Sequence, residues 1–353
     1  MGDAARLLLA ASRERSAVAA TDLLLPEQAR LSEWQRLTAS ALLLRLVRTV
    51  EDDLRARLAS EFPGEEALHA ALGSTRVEIA LPLLERSHAL RDPDFGAILV
   101  RRVEEHRYWK EYSVTGANDL LAELVRDSDD EIAAEAMGLL IARSRRFDRF
   151  HEPLMGRSDL PAELQHRLVW LVAAALRQYM IQHHRISSGK ADAAISAAAA
   201  ELLSNSDEGQ DLEAGCNRLA RALFRAGRLE GNDLARILEE GQLPLFLAGI
   251  AVRCSVDHGS AWEILSDPEG RGSALLLRAG RVDRDAAAWI LLMLNSRGRL
   301  FSGAEGEAAA AQLDRFDTMT QVEAMEIIRL WQVDPGYRAA ISRLSTRQRP
   351  AAA

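Results

Sequence analysis

Apolar side chains recur along this chain with the 3.6-residue period of a helix, almost without interruption, and no other feature restricts the fold as much. Leu42, Leu43, Leu46, Val50 and Leu54 keep one face apolar, and Leu160, Leu164, Leu168, Leu171, Val172, Leu176 and Tyr179 do so over a longer run. Alternating runs of β-branched and aromatic residues are missing, and the 353 residues include only eight threonines. No strand is expected. The chain reads as all-α.

The helices are short and their ends are marked. Asp92-Pro93, Asp267-Pro268 and Asp334-Pro335 each place a side-chain acceptor before a proline at the first helical position. Ser32, Ser128 and Asp283 read as further N-caps, and Gly73, Gly116, Gly227, Gly241 and Gly280 as helix ends. About twenty helices of roughly 10–14 residues, joined by short turns, fit these signals. The run Pro82–Ser87 (PLLERS) is echoed by Pro153–Ser158 (PLMGRS), an offset of 71 positions. That is close to two helical hairpins of about 34–40 residues each. Glu78-Ile79-Ala80 and Glu131-Ile132-Ala133 open comparable helices, and Asp127–Ala136 resembles the second-helix opening of HEAT-type repeats. The expected architecture is a right-handed α-solenoid of short HEAT-like hairpins with no sheet. An aromatic content of 5% suits it, because such hairpins pack through Leu and Ala.

Ser187, Ser188 and Gly189 interrupt the periodicity, and a second polar loop, Ser204–Asp211, follows. The expected division is an N-terminal helical-repeat domain over 1–186, a C-terminal helical domain over 187–345 and a disordered tail over 346–353. At the start of the chain, Leu7–Ala11 is too short for a secretory apolar region of about 7–15 residues. No stretch approaches the roughly 18 apolar residues that span a bilayer. A cytoplasmic protein is expected. Cys216 and Cys254 stand singly in apolar surroundings, AGCNRL and AVRCSV, and read as core residues.

Three segments together resemble a bacterial family known only as a domain of unknown function (number 2336 of that series), typical of alphaproteobacteria. They are Val50–Leu99, containing PLLERSHALRDPDF; Glu152–Met180, containing RLVWLVAAALRQYM; and Gly241–Leu294, containing LPLFLAGIAVRCSVDHGSAWEIL. The resemblance implies a HEAT-like helical-repeat fold and carries no reaction with it. His106–Ser113 (HRYWKEYS) departs from the family's pattern, so no shared site is expected there.

Net charge is −8, yet only two of the 44 basic residues are lysines. The acidity counts against a dedicated nucleic-acid binder. One stretch stands apart: Arg143, Arg145, Arg146, Arg149, Arg157, Arg167, Arg177 and Arg185 face only Asp148, Glu152, Asp159 and Glu163. Within it His166, Trp170, Arg177 and His184 form a second helical stripe opposite the apolar one. The candidate binding surface is therefore Arg145, Arg146, Arg149, His166, Trp170, Arg177 and His184, presented to an anionic ligand, peptide or nucleic-acid backbone. The bland alternative packs Trp170 against a neighbouring hairpin. Trp109 joins the candidates from the aromatic run Glu104–Tyr112. With Asp119 it mimics the Trp–Asp–Arg cleft by which HEAT-like alkylpurine DNA glycosylases hold an extruded base.

The acidic run Asp119–Glu135 reads as solvated helix N-termini. His69, His88 and His258 read as surface or capping residues. HExxH, GxSxG and Walker patterns are missing, only His151-Glu152 forms a His-Glu pair, and His183 and His184 point about 100° apart on a helix. No catalytic residue, metal ligand or cofactor is assigned. The expected function is a non-enzymatic protein-interaction scaffold or regulatory module, with a protein as partner. The alternatives are nucleic-acid binding or base repair through Arg143–Arg185, or sensing of a small anion near Arg185.

Overall fold

The computed structural model describes residues 31–74, 77–113, 119–204, 212–267, 270–296 and 305–346. The starting run Leu7–Ala11, Gly116, most of the 204–211 loop and the tail after Thr346 lie outside them. The helices are α1 (Glu33–Leu58), α2 (Glu66–Gly73), α3 (Ala80–Arg86), α4 (Pro93–Ser113), α5 (Leu120–Leu124) and α6 (Asp130–Ser144). Then follow α7 (Ala162–His184), α8 (Ser188–Ser204), α9 (Leu212–Arg225), α10 (Gly231–Glu239), α11 (Leu243–Cys254) and α12 (His258–Leu265). The last five are α13 (Arg271–Ala279), α14 (Arg284–Ser296), α15 (Glu305–Thr318), α16 (Gln321–Ile328) and α17 (Pro335–Thr346), with 3₁₀ turns at Arg157–Asp159 and Arg329–Trp331. Among the described residues the only extended pairing is one bridge between Phe147 and Pro153.

Most of the expected caps are in place. Ser32 closes a full capping box with Gln35, Asp92 accepts from the Asp94 N–H at 2.8 Å, and Asp283 and Asp334 each accept from the N–H three residues on. One start differs. Asp129 caps α6 instead of Ser128, because its carboxylate reaches both the Glu131 and Ile132 N–H groups. Asp267 accepts from the Arg271 N–H at 2.8 Å, where α13 opens, while the expected first position, Pro268, lies outside the described residues. The PLLERS echo is not a structural repeat. Pro82–Arg86 is helical, whereas Pro153–Gly156 is extended. There the Asp159 carboxylate draws in the Gly156 N–H at 2.7 Å and closes a 3₁₀ turn.

The buried apolar residues form two clusters. The first joins α1, α2, α3, the start of α4, α7 and α8. The 26-residue α1 runs through it and touches α2, α3, α4, α7 and α8. The second joins the end of α4, α5, α6 and α9 through α16. Here α6, α9, α11, α13 and α16 form a row in which each helix packs on the next, and α10, α14 and α15 form a second row beside it. The cores therefore do not divide at 186/187. Ile186, Ile195 and Leu202 belong with α1, while Leu120–Leu139 belong with the C-terminal helices. The interruption is a tight turn over Arg185–Ser187, in which Arg185 adopts φ 54° and Ile186 is buried, and Ser188 and Gly189 already open α8. Alanines 191, 194 and 198 then let α8 lie close to its neighbours within the first core.

Candidate functional site

Between the two cores runs α4, whose middle is buried on every side although it carries Arg102, Glu104, Glu105 and His106. A buried charge is tolerable only when paired and hydrogen-bonded, and here the partners come from both halves. Glu105 receives Arg101 Nε at 2.9 Å and Arg146 Nη1 at 3.1 Å, and Arg146 also grips Asp159 at 2.9 Å. Arg102 donates to the Arg146 carbonyl at 2.9 Å and the Leu154 carbonyl at 3.2 Å. Arg101 continues to Glu213 on α9 at 2.9 Å and His258 Nδ1 at the start of α12 at 2.6 Å. The Pro244 carbonyl, which only accepts, lies 3.0 Å from His258 Nε2 and fixes that nitrogen as the donor. Burial opposes charge on Glu213, but His258 and Arg101 hold its pKa down at about 2. Burial and the Arg146 guanidinium push Arg102 down to about 9. A cavity of about 30 Å³ beside Arg102, Glu105, Trp109 and Cys216 has room for water.

His106 is the exception in this network. It is 1% exposed, its ring lies 5.9 Å from Trp109 and 5.6 Å from Phe147, and neither ring nitrogen has a hydrogen-bond partner. Burial, reinforced by Arg102 and Lys110, pushes its pKa down to about 4. The polar junction ties the halves together. Burial pushes the Cys216 thiol up, and the Cys254 thiol to about 12, so neither is an activated nucleophile.

The sequence-derived candidates do not form one surface. Arg146 is inside the junction. Trp109 stacks on Phe147 with centroids 4.2 Å apart and has His151 at 5.8 Å, while Asp119 caps α5 and pairs with Arg143 at 2.7 Å. The cavity that Trp109 and Arg143 line together holds about 30 Å³, far less than a base occupies. His166, Trp170 and Arg177 do share an outer face of α7, with Trp170 36% exposed and its Nε1 donating to His166 Nε2 at 3.0 Å. Trp170 is thus partly exposed on this face and bonded to a residue of its own helix. Arg177 is paired with Asp192, and His184 packs edgewise near Tyr179 with centroids 5.2 Å apart. Arg145 and Arg149 are exposed. Of the eight arginines, Arg143, Arg146, Arg157, Arg167 and Arg177 are engaged by carboxylates or carbonyls of this chain. His258, read as a surface residue, is buried because α12 starts against α11 and the junction carboxylate Glu213.

A feature not anticipated from the periodicity lies at the far end of the second core. α12, α13, α15 and α16 enclose an open groove of about 1200 Å³. Ile264, Leu275, Met319, Ile327 and Trp331 form its apolar lining, and Glu263, Asp267, Glu323 and Glu326 stand there with Arg271 and Arg315. Close contact builds the floor. A Cβ on Gly272 would stand 1.7 Å from the Ile264 carbonyl oxygen, so only glycine lets α13 approach α12 this closely. Behind it, Gln312 accepts from Ser273 Oγ at 3.1 Å and from Asn295 Nδ2 at 3.0 Å, which locks α13, α14 and α15. Arg278 binds the Met319 carbonyl at 2.8 Å and holds the turn between α15 and α16. Arg338 reaches Glu263 at 2.7 Å and lies over Trp331 at 6.0 Å, fixing one wall. Ile327 remains 45% exposed. The sequence does hold a signal: in QVEAMEII, Val322, Met325, Ile327 and Ile328 surround α16 with more apolar groups than one face can bury.

Among the described residues no three His, Cys, Asp or Glu side chains gather as a metal site, and no helix is long and apolar enough to cross a membrane. No curated protein and no solved structure matches the chain. A family model described as "uncharacterised protein conserved in bacteria (DUF2336)" matches residues 114–329. That span takes in the second and third of the resembling segments and the lining of the groove up to Ile327, and leaves Val50–Leu99 outside. The chain belongs to this family of uncharacterised bacterial proteins.

Proposed function

We propose that the protein is a non-enzymatic scaffold that receives a segment of another protein in the groove formed by α12, α13, α15 and α16. The groove carries this reading. Its volume of about 1200 Å³ exceeds the roughly 300–1,000 Å³ of small-molecule pockets, and it lacks their few convergent buried polar groups. An open apolar trough between helices is the surface that takes an amphipathic helix through anchors at i, i+3 or i+4, and i+7. The row in which each helix packs on the next supports a HEAT-like α-solenoid, an architecture that offers such extended surfaces. A protein partner is favoured over nucleic acid because five of the arginines in the one basic stretch are already committed within the chain.

The test is photocrosslinking in the native cytoplasm, with a benzophenone side chain placed at Ile327 or at Trp170. The expected result is a nuclease-insensitive protein adduct through position 327 that disappears when Met319→Asp is added. Adducts formed only through position 170, or only with nucleic acid, would overturn the reading.

A further inference from the structure

The occupant of the groove can be narrowed by charge. Residues 305–328, which make up α15 and α16, contain six acidic residues against a single basic one, Arg315, and of the six Glu323 and Glu326 line the groove. Of the four carboxylates in the lining, Asp267 is paired with Arg271 at 2.8 Å, Glu263 with Arg338 at 2.7 Å, and Glu323 accepts from Thr320 in the α16 capping box, so Glu326 is the carboxylate the groove presents to an occupant. Asp317, outside the lining, pairs with Arg284 at 2.9 Å. Glu326 is exposed beside Ile327, so an apolar anchor seated against Ile327, Met319 and Trp331 would place a flanking residue beside that carboxylate.

We infer that the groove selects a cationic amphipathic helix of a partner protein: leucine-like anchors on one face, lysine or arginine at the flanks. This rests on the docking reading above and adds the chemistry of the partner. Electrostatic complementarity of this kind acts mainly on association rate and on rejection of wrong partners. Salt weakens it, because the groove is open.

The experiment uses the full chain and two labelled helical 14-residue peptides with identical leucine faces, one with lysine flanks and one with glutamate flanks. Fluorescence anisotropy reads the affinity. The expected result is one-to-one binding of the leucine–lysine peptide, with the leucine–glutamate peptide at least about tenfold weaker. Ile327→Asp, at a position 45% exposed, is expected to cost about tenfold or more, and Glu326→Lys about fivefold. Circular dichroism checks that both variants keep their helix content.

Equal binding of the two peptides, with both lost in Ile327→Asp, would overturn the charge selection while leaving the groove as a docking site. Binding of the lysine peptide that Ile327→Asp leaves unchanged would place it elsewhere and overturn both. Absence of binding by either peptide up to about 100 µM would also overturn both. A dimer in the ultracentrifuge that Ile327→Asp dissolves would assign the groove to a second copy of this chain and overturn the inference.

Discussion

In the first core one long helix, α1, is surrounded by helices drawn from both near and far along the chain, α2, α3 and α4 on one hand and α7 and α8 on the other. In the second core the helices of the row meet their neighbours nearly in chain order, from α6 to α16. The first arrangement closes long loops before any contact rewards it and stands or falls as a unit. The second approaches a one-dimensional stack, where each unit depends on its neighbours and the end unit has an uncovered side. The groove lies toward that end. The contrast explains why the exposed apolar trough is found in the second core, and why α4, shared by both, carries the charged network that joins them.

The largest expected effect comes from breaking that joint. Glu105→Ala takes away the carboxylate paired with buried Arg102 and one of the two carboxylates that hold each of Arg101 and Arg146, and should cost about 3–5 kcal/mol. Urea titration should show both cores losing stability together. A loss confined to one core would show that α4 does not couple them.

Gly272→Ala comes next, at about 1–3 kcal/mol, because the new methyl meets the Ile264 backbone. Its effect should stay in the stack. Amides of α12 to α16 should exchange faster, and those of α1 and α7 should keep their rates.

His106→Phe should act in the opposite direction. The buried imidazole has no partner for either nitrogen, and removing an unsatisfied polar group recovers about 1–3 kcal/mol. The pH dependence follows from its depressed pKa. Between about 6.5 and about 4 the unfolded chain binds a proton that the folded chain does not, so stability is full above about 6.5 and falls as pH drops toward 4. Denaturation midpoints across that window should slope in the parent and flatten in His106→Phe. A further loss, below about 4.5 and toward 2, is expected from Glu213, whose folded-state pKa is held down at about 2.

The smallest effect belongs to Arg177→Ala. Its pair with Asp192 is exposed, and such pairs contribute little to stability. A thermal midpoint moved by several degrees would show that α7 and α8 depend on that contact more than their apolar seam implies.

Much of this was legible before the fold was known. Periodicity locates α1 and α7 with their buried faces, and the Ser32, Asp92, Asp283 and Asp334 caps lie where local chemistry puts them, because a cap is decided within four residues. The partition of the cores was not legible. Ser187–Gly189 has the composition of a boundary but only closes a turn and opens α8, and which core α8 joins depends on contacts with α1, far away in sequence. The Glu104–Tyr112 run in α4 stands out in the sequence for its aromatic residues, and nothing local marks its charges as buried. The middle of α4 is buried because its partners Arg146, Asp159, Glu213 and His258 arrive from distant segments, which no local pattern registers. The Arg143–Arg185 stretch misleads for the same reason: its excess charge is met by Glu105, Asp92, Asp119 and Asp192 from outside or beside the stretch.

The central claim, that recognition belongs to the end of the stacked core and not to the α7 stripe, is tested most directly by hydrogen–deuterium exchange of the full chain with and without the leucine–lysine helix. The account predicts slowed exchange in residues 263–267, 271–275 and 315–331. Slowing confined to 162–184, around Trp170 and Arg177, would contradict it.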